Sequence, residues 1–306
     1  MRFEVTTLGT GAALPARGRY PSAQLLNVRE RLFLVDCGEG TQERLRMAQV
    51  NMSRIARIFI THMHGDHYLG LMGLISSMHL LGRTMVLDVH GPVELREVIE
   101  LQLRVSKTYL RFPLRFHAVA HRSGEPVYSD DRVVVTELAL RHRIDSTGYL
   151  FRETPLPRRL IKETVDLIPH YARKAVKLGE DLKLPDGRVI PNAELTKPPP
   201  PPRSYAYCSD TAYAPELVPF LEGVDLLYHE STFTEDLTAR AKETMHSTAK
   251  QAATLARDAH VRQLLLGHFS SRYKDTDRLL AEAVEIFPDT LAAQEGRTFE
   301  VGTPVF

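Results

Sequence analysis

The segment Thr61-His62-Met63-His64-Gly65-Asp66-His67 sets three histidines and an aspartate within six positions, directly after the apolar run Ile58-Phe59-Ile60. Imidazole and carboxylate are the groups that hold first-row divalent cations, and this spacing has a mechanical meaning. On a helix, side chains two apart point about 200° from each other, so His62 and His64 could not share a cation there. In extended backbone they project to one side, and Gly65 offers the sharp turn that carries Asp66 and His67 round to a second position. One short loop can thus serve two adjacent cations. A histidine at a strand end can also be an ordinary satisfied polar residue, but four such groups together would be costly to bury without a cation.

Four groups cannot complete two coordination spheres, so other strand ends must contribute. Runs with strand character end at Arg141-His142, at Ser209-Asp210-Thr211 and at Gly267-His268. Ligands in open α/β sheets gather at the carboxyl ends of strands, and the common placement of His142, Asp210 and His268 makes them candidates. His79, His90, His117, His121, His170 and His260 show no ligand spacing and are expected on the surface or in the core.

The elements that must position these groups alternate between strand and helix. Phe3 to Leu8, Ala23 to Val28 and Arg31 to Asp36 read as strands, with a turn at Arg29-Glu30. Helical spacing begins after Gly40; Arg57 to Thr61, Met85 to His90 and Val133 to Leu140 are further strands, and Val93 to Leu103 carries the helical period. Strand-like runs return at Ser204 to Cys208, Val224 to Tyr228 and Gln263 to Leu266, with a helix from Thr248 to Ala259. The class is α/β. Between the halves, 152–203 holds ten of the nineteen prolines, including Pro198 to Pro202, and polyproline is stiff and extended. A short helix is expected over Arg158 to Val165 and a hairpin at Leu184 to Ile190 around Asp186-Gly187. This segment reads as an arm projecting from the body.

Composition bounds the function classes. At 306 residues with 43% apolar content, the chain can bury a substantial core as one large domain or two small ones. A net charge of +1 taken over the whole chain argues against a dedicated nucleic-acid binder, since such domains tend to carry a strong basic excess. The arm is different, with eleven Lys+Arg against seven Asp+Glu, an excess of +4 that leaves −3 on the remainder. Such a patch can contact phosphates. Cys37 and Cys208 stand far apart without a C-x-x-C pair, so reduced thiols are expected. There is no signal-peptide h-region and no apolar run of membrane-spanning length, so a soluble, cytoplasmic protein with no membrane partner is expected.

Further motifs narrow the reading. They are Leu8-Gly9-Thr10-Gly11 followed by Pro15, Asp36-Cys37-Gly38-Glu39-Gly40-Thr41-Gln42, the His62 to His67 cluster, Ser209-Asp210-Thr211, His229-Glu230-Ser231-Thr232-Phe233, Met245-His246-Ser247-Thr248-Ala249 and Leu266-Gly267-His268-Phe269-Ser270-Ser271-Arg272-Tyr273. In this order they resemble the ribonuclease Z family, the endonucleases of tRNA 3′ processing within the metallo-β-lactamase superfamily, in its short form. The cluster is specific to the superfamily; the H-E-S-T-F and M-H-S-T pair is specific to this branch.

The resemblance covers nearly the whole chain. It implies a four-layer αβ/βα sandwich of the metallo-β-lactamase type, a single domain over 1–306 with 152–203 inserted as a tRNA-clamping arm. It implies one Zn²⁺ held by His62, His64, His142 and Asp210 and a second by Asp66, His67, Asp210 and His268, with Asp210 bridging; Mn²⁺, Fe²⁺ or Co²⁺ would suit the same donors. Such a pair would activate water and offset charge on a scissile phosphate, with Asp66 also orienting the water or accepting its proton. The leaving 3′ oxygen needs a proton, and the resemblance points to His246 as general acid with Glu230 as its carboxylate partner. His246 could instead be a plain residue before a helix capped by Ser247. His229 has no metal role in the family and is expected to pack. The implied partners are precursor tRNA and a second copy of the chain, whose arm would serve the first copy's site. The chain departs from the family at Ile168-Pro169-His170-Tyr171, where a Gly-Pro pair is usual, and at Arg19-Tyr20, where Arg-Asn is usual.

Two rival readings remain. One is a hydrolase of the same fold acting on small phosphodiesters, arylsulfates or lactones, which would have no need of a basic arm. The other is a catalytically silent RNA-binding homologue, which would have little reason to keep seven metal-site positions together with His246 and Glu230.

Overall fold

In a computed structural model that describes residues 1–302, the chain divides into two compact units, one of 1–152 with 203–302 and one of 153–202. The larger unit is built on two seven-stranded sheets. The first runs in the order Thr298–Glu300, Phe3–Gly9, Ala23–Val28, Arg31–Val35, Ile55–Phe59, Leu87–Gly91, Leu114–Ala118. Its pairing is antiparallel as far as Arg31–Val35 and parallel beyond. The second runs Thr290–Ala292, Leu264–Gly267, Leu226–Glu230, Ser204–Cys208, Ser146–Glu153, Val133–Leu140, Pro126–Ser129. Its first four strands are parallel, and Ser146–Glu153 runs antiparallel to Ser204–Cys208.

The period of two along a strand makes the layers. In Arg31–Val35, Phe33 and Val35 enter the core between the sheets, whereas Leu32 and Leu34 enter a second core under the helices. That second core receives Leu71, Leu74, Ile75 and Met78 from helix Leu71–Leu80 and Leu95 and Ile99 from helix Val93–Val105. On the far side, helix Ala249–Asp258 buries Ala252, Ala253, Leu255 and Ala256 against the strands Leu226–Glu230 and Leu264–Gly267. The result is the αβ/βα order of layers. Phe59 sits at its centre, fully buried, with Phe33, Tyr149, Phe151 and His90 around its ring.

Parallel strands deliver their carboxyl ends to one edge. The register sets Cys208 beside His229 and Glu230 beside Gly267, so Asp210, Glu230 and His268 emerge side by side. The first sheet brings its own contribution to the same edge. Thr147 N donates to Thr61 O at 3.0 Å, and the Tyr149 hydroxyl donates to Ile60 O at 2.8 Å. Gly267 is required there, because a Cβ would fall 2.2 Å from the Tyr228 hydroxyl oxygen.

Several expectations need correction. Strands at Leu114–Ala118, Pro126–Ser129 and Ser146–Glu153 join the sheets, as do short ones at Thr290–Ala292 and Thr298–Glu300. The helix after His246 is capped by Thr248, whose hydroxyl accepts Gln251 N–H while the Gln251 side chain accepts Thr248 N–H; Ser247 Oγ donates instead to Thr211 O. No α-helix forms over Arg158 to Val165. Arg159–Leu160 pairs with Thr196–Lys197 as a two-residue antiparallel ladder, and a 3₁₀ helix follows at Lys162–Leu167.

The smaller unit has its own core, in which Ile168, Val176, Leu182 and Leu195 are buried and Leu160, Leu184 and Ile190 pack against them. Asn192 ties it together, donating to Val176 O and Glu180 O at 2.7 and 2.8 Å. The expected hairpin forms between Leu182–Lys183 and Val189–Ile190, with Gly187 at φ +87°. At the departure from the family pattern, Ile168 fills this core at 1% exposure, a place that a glycine would leave void.

Candidate metal centre

His62 lies outside any helix and His64 is extended, at φ −74°, ψ 142°; the chain then enters a short helix Gly65–Tyr68 that carries Asp66 and His67. The turn does not draw on glycine's left-handed freedom; Gly65 starts a right-handed helix, which corrects the sequence expectation. The loop is held from beneath by the segment after Val35, where Cys37 N donates to His67 O and Gly70 N to Cys37 O. Gly38 is needed for that approach, since a Cβ would come 2.4 Å from Asp66 O.

Among the described residues three groups of potential ligand atoms result. His62, His64, His142 and Asp210 form one cluster and Asp66, His67 and His268 a second, both made of expected ligands; the third joins His246 to Asp210 and His268, which the first two already contain. In the first, His64 Nδ1 lies 3.0 Å from His62 Nε2 and 3.2 Å from His142 Nε2. Asp210 faces both clusters. Its Oδ2 is 3.7 Å from His62 Nε2 and from His142 Nε2, and its Oδ1 is 3.3 Å from His67 Nε2 and 3.1 Å from His268 Nε2. Asp66 Oδ2 lies 3.4 Å from His67 Nε2 and from His268 Nε2, and it accepts the Ala13 N–H at 2.8 Å.

The proton positions around these rings test the fit to a cation. His67 Nδ1 donates to Asp36 Oδ2 at 2.7 Å, and its Nε2 is fully buried, without a hydrogen-bond partner, and faces the Asp66 and Asp210 carboxylates. Burial lowers the ring's proton affinity, but the Asp210, Asp66 and Asp36 carboxylates outweigh it and raise that affinity well above the ordinary imidazole value; a cation between the carboxylates would take the proton's place and leave Nε2 as a lone-pair donor. The same logic holds elsewhere. His142 Nδ1 donates to Met245 O at 2.9 Å, and His268 Nδ1 to Thr232 Oγ1 at 3.0 Å, so each presents Nε2 inward. Burial holds the His62, His64 and His142 imidazoles below their ordinary value, hence neutral as ligands require. Mixed imidazole and carboxylate donors of this kind are compatible with metal binding.

Two buried carboxylates organise the rings by matching means. Asp36 accepts His67 Nδ1 directly, and also the Thr61 hydroxyl at 3.1 Å, whose oxygen in turn accepts His62 Nδ1 at 2.9 Å. Glu230 accepts His246 Nδ1 directly at 2.8 Å, and the Thr232 hydroxyl at 2.6 Å, whose oxygen accepts His268 Nδ1. Asp36, Thr61 and Thr232 had no assigned role in the sequence reading. The signal available was their place immediately after or between strands in motifs already singled out.

His246 stands beside the clusters, its ring centroid 5.0 Å from that of His142 and 5.5 Å from that of His268. Burial alone would lower its proton affinity, but the Glu230 carboxylate outweighs this and raises the pKa to about 9. The rings open into a pocket of about 430 Å³ that Asp66, Asp210, His246, Phe233, Arg143 and Arg272 help to line. An imidazole that is protonated at neutral pH, beside a cluster of carboxylates, can hand a proton to a leaving group. The remaining histidines take no part: His229 is buried in packing with Nδ1 donated to Glu230 O, and His90 stacks between Phe59 and His117. Cys37 and Cys208 are buried and unpaired.

A model of the family described as Anti-Pycsar protein Apyc1 matches residues 3–100. The chain is 48% identical over 296 residues to a Bacteroides fragilis protein named Ribonuclease Z, covering 96% of this chain and 97% of that one. Among solved structures, human tRNase Z, short form, superposes at a TM-score of 0.71 with 28% identity, covering 98% of this chain and all of that one. The metallo-β-lactamase fold protein YhfI of Bacillus subtilis shares the fold at a TM-score of 0.69 and 20% identity, with 98% and 100% of the two chains covered.

Proposed function

The chain belongs to the ribonuclease Z family, and from that premise we propose that it removes the 3′ trailer of precursor tRNA by a two-cation reaction that leaves a 3′-hydroxyl on the tRNA. It is an enzyme acting on RNA, an endoribonuclease of tRNA 3′ processing with the metallo-β-lactamase fold. The finer reading assigns two zinc ions, one to His62, His64, His142 and Asp210 and the other to Asp66, His67, Asp210 and His268. When bound, such a pair supplies activation of a water and compensation of charge on the scissile phosphate. The observation that carries this reading is the Asp210 carboxylate, with one oxygen turned to each cluster.

The chain's own residues supply the rest. Asp66, held by the Ala13 N–H, turns a carboxylate toward the attacking water's place and accepts or directs its proton. His246, with Nδ1 committed to Glu230, keeps Nε2–H for the O3′ of the departing tRNA end. Glu230 keeps that imidazole charged. The smaller unit supplies phosphate contacts to the tRNA. Arg158, Arg173 and Arg188 are held by Thr196, by backbone carbonyls and by Asp186, which leaves Arg159, Lys162, Lys174, Lys177, Lys183 and Lys197 for that role. A homodimer in the cytoplasm completes the proposal; no helix among the described residues is long and apolar enough to cross a membrane.

Incubation with a precursor tRNA bearing a 3′ trailer tests the function. Cleavage after the discriminator nucleotide with a 3′-hydroxyl on the tRNA is expected. Turnover of a small diester without precursor cleavage would overturn the tRNA assignment. Metal analysis of protein purified without added metal tests the zinc, and light scattering tests the dimer.

A further inference from the structure

Three arginines line the pocket beside the metal centre, and two are already engaged. Arg240 is ion-paired with Glu243 at 2.7 Å, and Arg272 lies over the Phe233 ring at 5.6 Å. Arg143 is exposed and, among the described residues, has neither an ion pair nor a hydrogen bond. The contrast with its neighbour is local. Arg141, on the other side of His142, is ion-paired with Glu216, and its backbone N–H is held by Thr211 Oγ1. An uncommitted guanidinium at the mouth of a pocket walled by Asp66, Asp210 and Glu39 is positioned to meet an anion that enters from outside.

The side of the pocket identifies the anion. Arg143 shares the pocket lining with His64 and His246. On the reading proposed above, His246 donates to O3′, which belongs to the nucleotide kept by the tRNA. On that reading the retained strand lies along the part of the lining that holds His246, and Arg143 belongs to the same lining. The nearest anion of that strand beyond the scissile phosphate is the phosphate on the 5′ side of the same nucleotide.

We propose that Arg143 is a substrate-positioning residue that binds the backbone phosphate immediately 5′ of the cleaved linkage. An isolated diester has no such phosphate, so Arg143 favours a polynucleotide over a small phosphodiester. The inference rests on the tRNA-processing reading, and its test is arranged to separate the two.

Arg143→Ala and Arg143→Lys are compared with the wild type on four substrates: an ordinary precursor, one with a neutral methylphosphonate at the linkage 5′ of the cut, one with it at the linkage 3′ of the cut, and bis(p-nitrophenyl) phosphate. Arg143→Ala is expected to lower kcat/KM about tenfold on the ordinary precursor, mainly through KM, as suits one partly exposed charged hydrogen bond. The fall persists on the 3′-neutral precursor, disappears on the 5′-neutral one, is smaller on the small diester, and is partly recovered by Arg143→Lys. A fall that is undiminished on the 5′-neutral precursor, or equal on the small diester, overturns the assignment. So does no fall on the ordinary precursor. A wild-type enzyme that leaves every precursor intact while turning over the small diester overturns the tRNA reading instead.

Discussion

The carboxylate of Asp36 accepts the Nδ1 proton of His67 at 2.7 Å, with both side chains wholly buried. This contact fixes which nitrogen of His67 is free, and through Thr61 it fixes His62 as well. Asp36→Asn keeps the shape but removes the charge that holds the proton in place. It is expected to weaken metal binding about 10–100-fold, as loss of an outer-shell carboxylate generally does, while leaving the circular dichroism spectrum of the folded state. Competition with a chromophoric chelator reads the affinity. An unchanged affinity would show that His67 needs no such anchor.

The His246–Glu230 pair sets a pH dependence whose sign can be worked out. The acid is the protonated imidazole, and Glu230 raises its pKa to about 9. The working form is therefore present at neutral pH and lost as pH rises through that value. Glu230→Gln removes the cause of the elevation, so the alkaline limb of kcat/KM should move to lower pH. His246→Ala should cost about 10²–10⁴ in kcat on precursor tRNA, and much less on an ester whose leaving group needs no proton. An alkaline limb that stays in place in Glu230→Gln would dissociate it from His246.

Removal of metal is expected to abolish cleavage, with recovery on readdition of a divalent cation. Asp210→Ala should bind fewer cations than a single-cluster change such as His142→Ala, because its two oxygens face different clusters. Elemental analysis after dialysis gives the stoichiometries. Equal stoichiometry in the two variants would mean that Asp210 serves only one site.

Replacing Glu153–Pro202 with a short flexible linker tests the smaller unit. The body keeps its two cores, which draw on none of these residues, so it should fold. Binding of precursor tRNA should fall steeply while bis(p-nitrophenyl) phosphate turnover falls far less. Single neutralisations such as Lys174→Ala or Lys183→Ala should weaken binding and lower the salt slope by about one unit each where the side chain meets a phosphate. Precursor affinity that survives the replacement would place the main RNA surface on the body.

Phe59→Ala should destabilise the fold by about 3–5 kcal/mol, since it opens a void among Phe33, Tyr149 and Phe151 in the core between the sheets. Urea unfolding of the metal-free protein measures this without the added stabilisation of bound metal.

The candidate ligands were legible because their chemistry is local. His62, His64, Asp66 and His67 lie in one loop, and His142, Asp210 and His268 each follow a run of buried residues. Asp36, Thr61 and Thr232 were not, because their role is a through-space relay to rings, and an Asp or Thr after a strand looks like any turn residue. The strand Ser146–Glu153 was missed for a related reason. It opens with polar Ser-Thr-Gly, yet all but Arg152 of its residues are buried, since both faces are covered. In the smaller unit, Arg159–Leu160 became a strand because Thr196–Lys197 lies alongside, a pairing that local helical spacing cannot reveal.

Asp66 and His268 meet across 202 positions of sequence, and His64 and His142 across 78. Contacts so distant carry a large loop-closure entropy and close late in folding. Capture of a cation at these clusters would then wait for the halves of the chain to dock, and its free energy would hold that docking rather than order one loop. Protein loaded with a divalent cation should therefore outlast the metal-free protein against proteases.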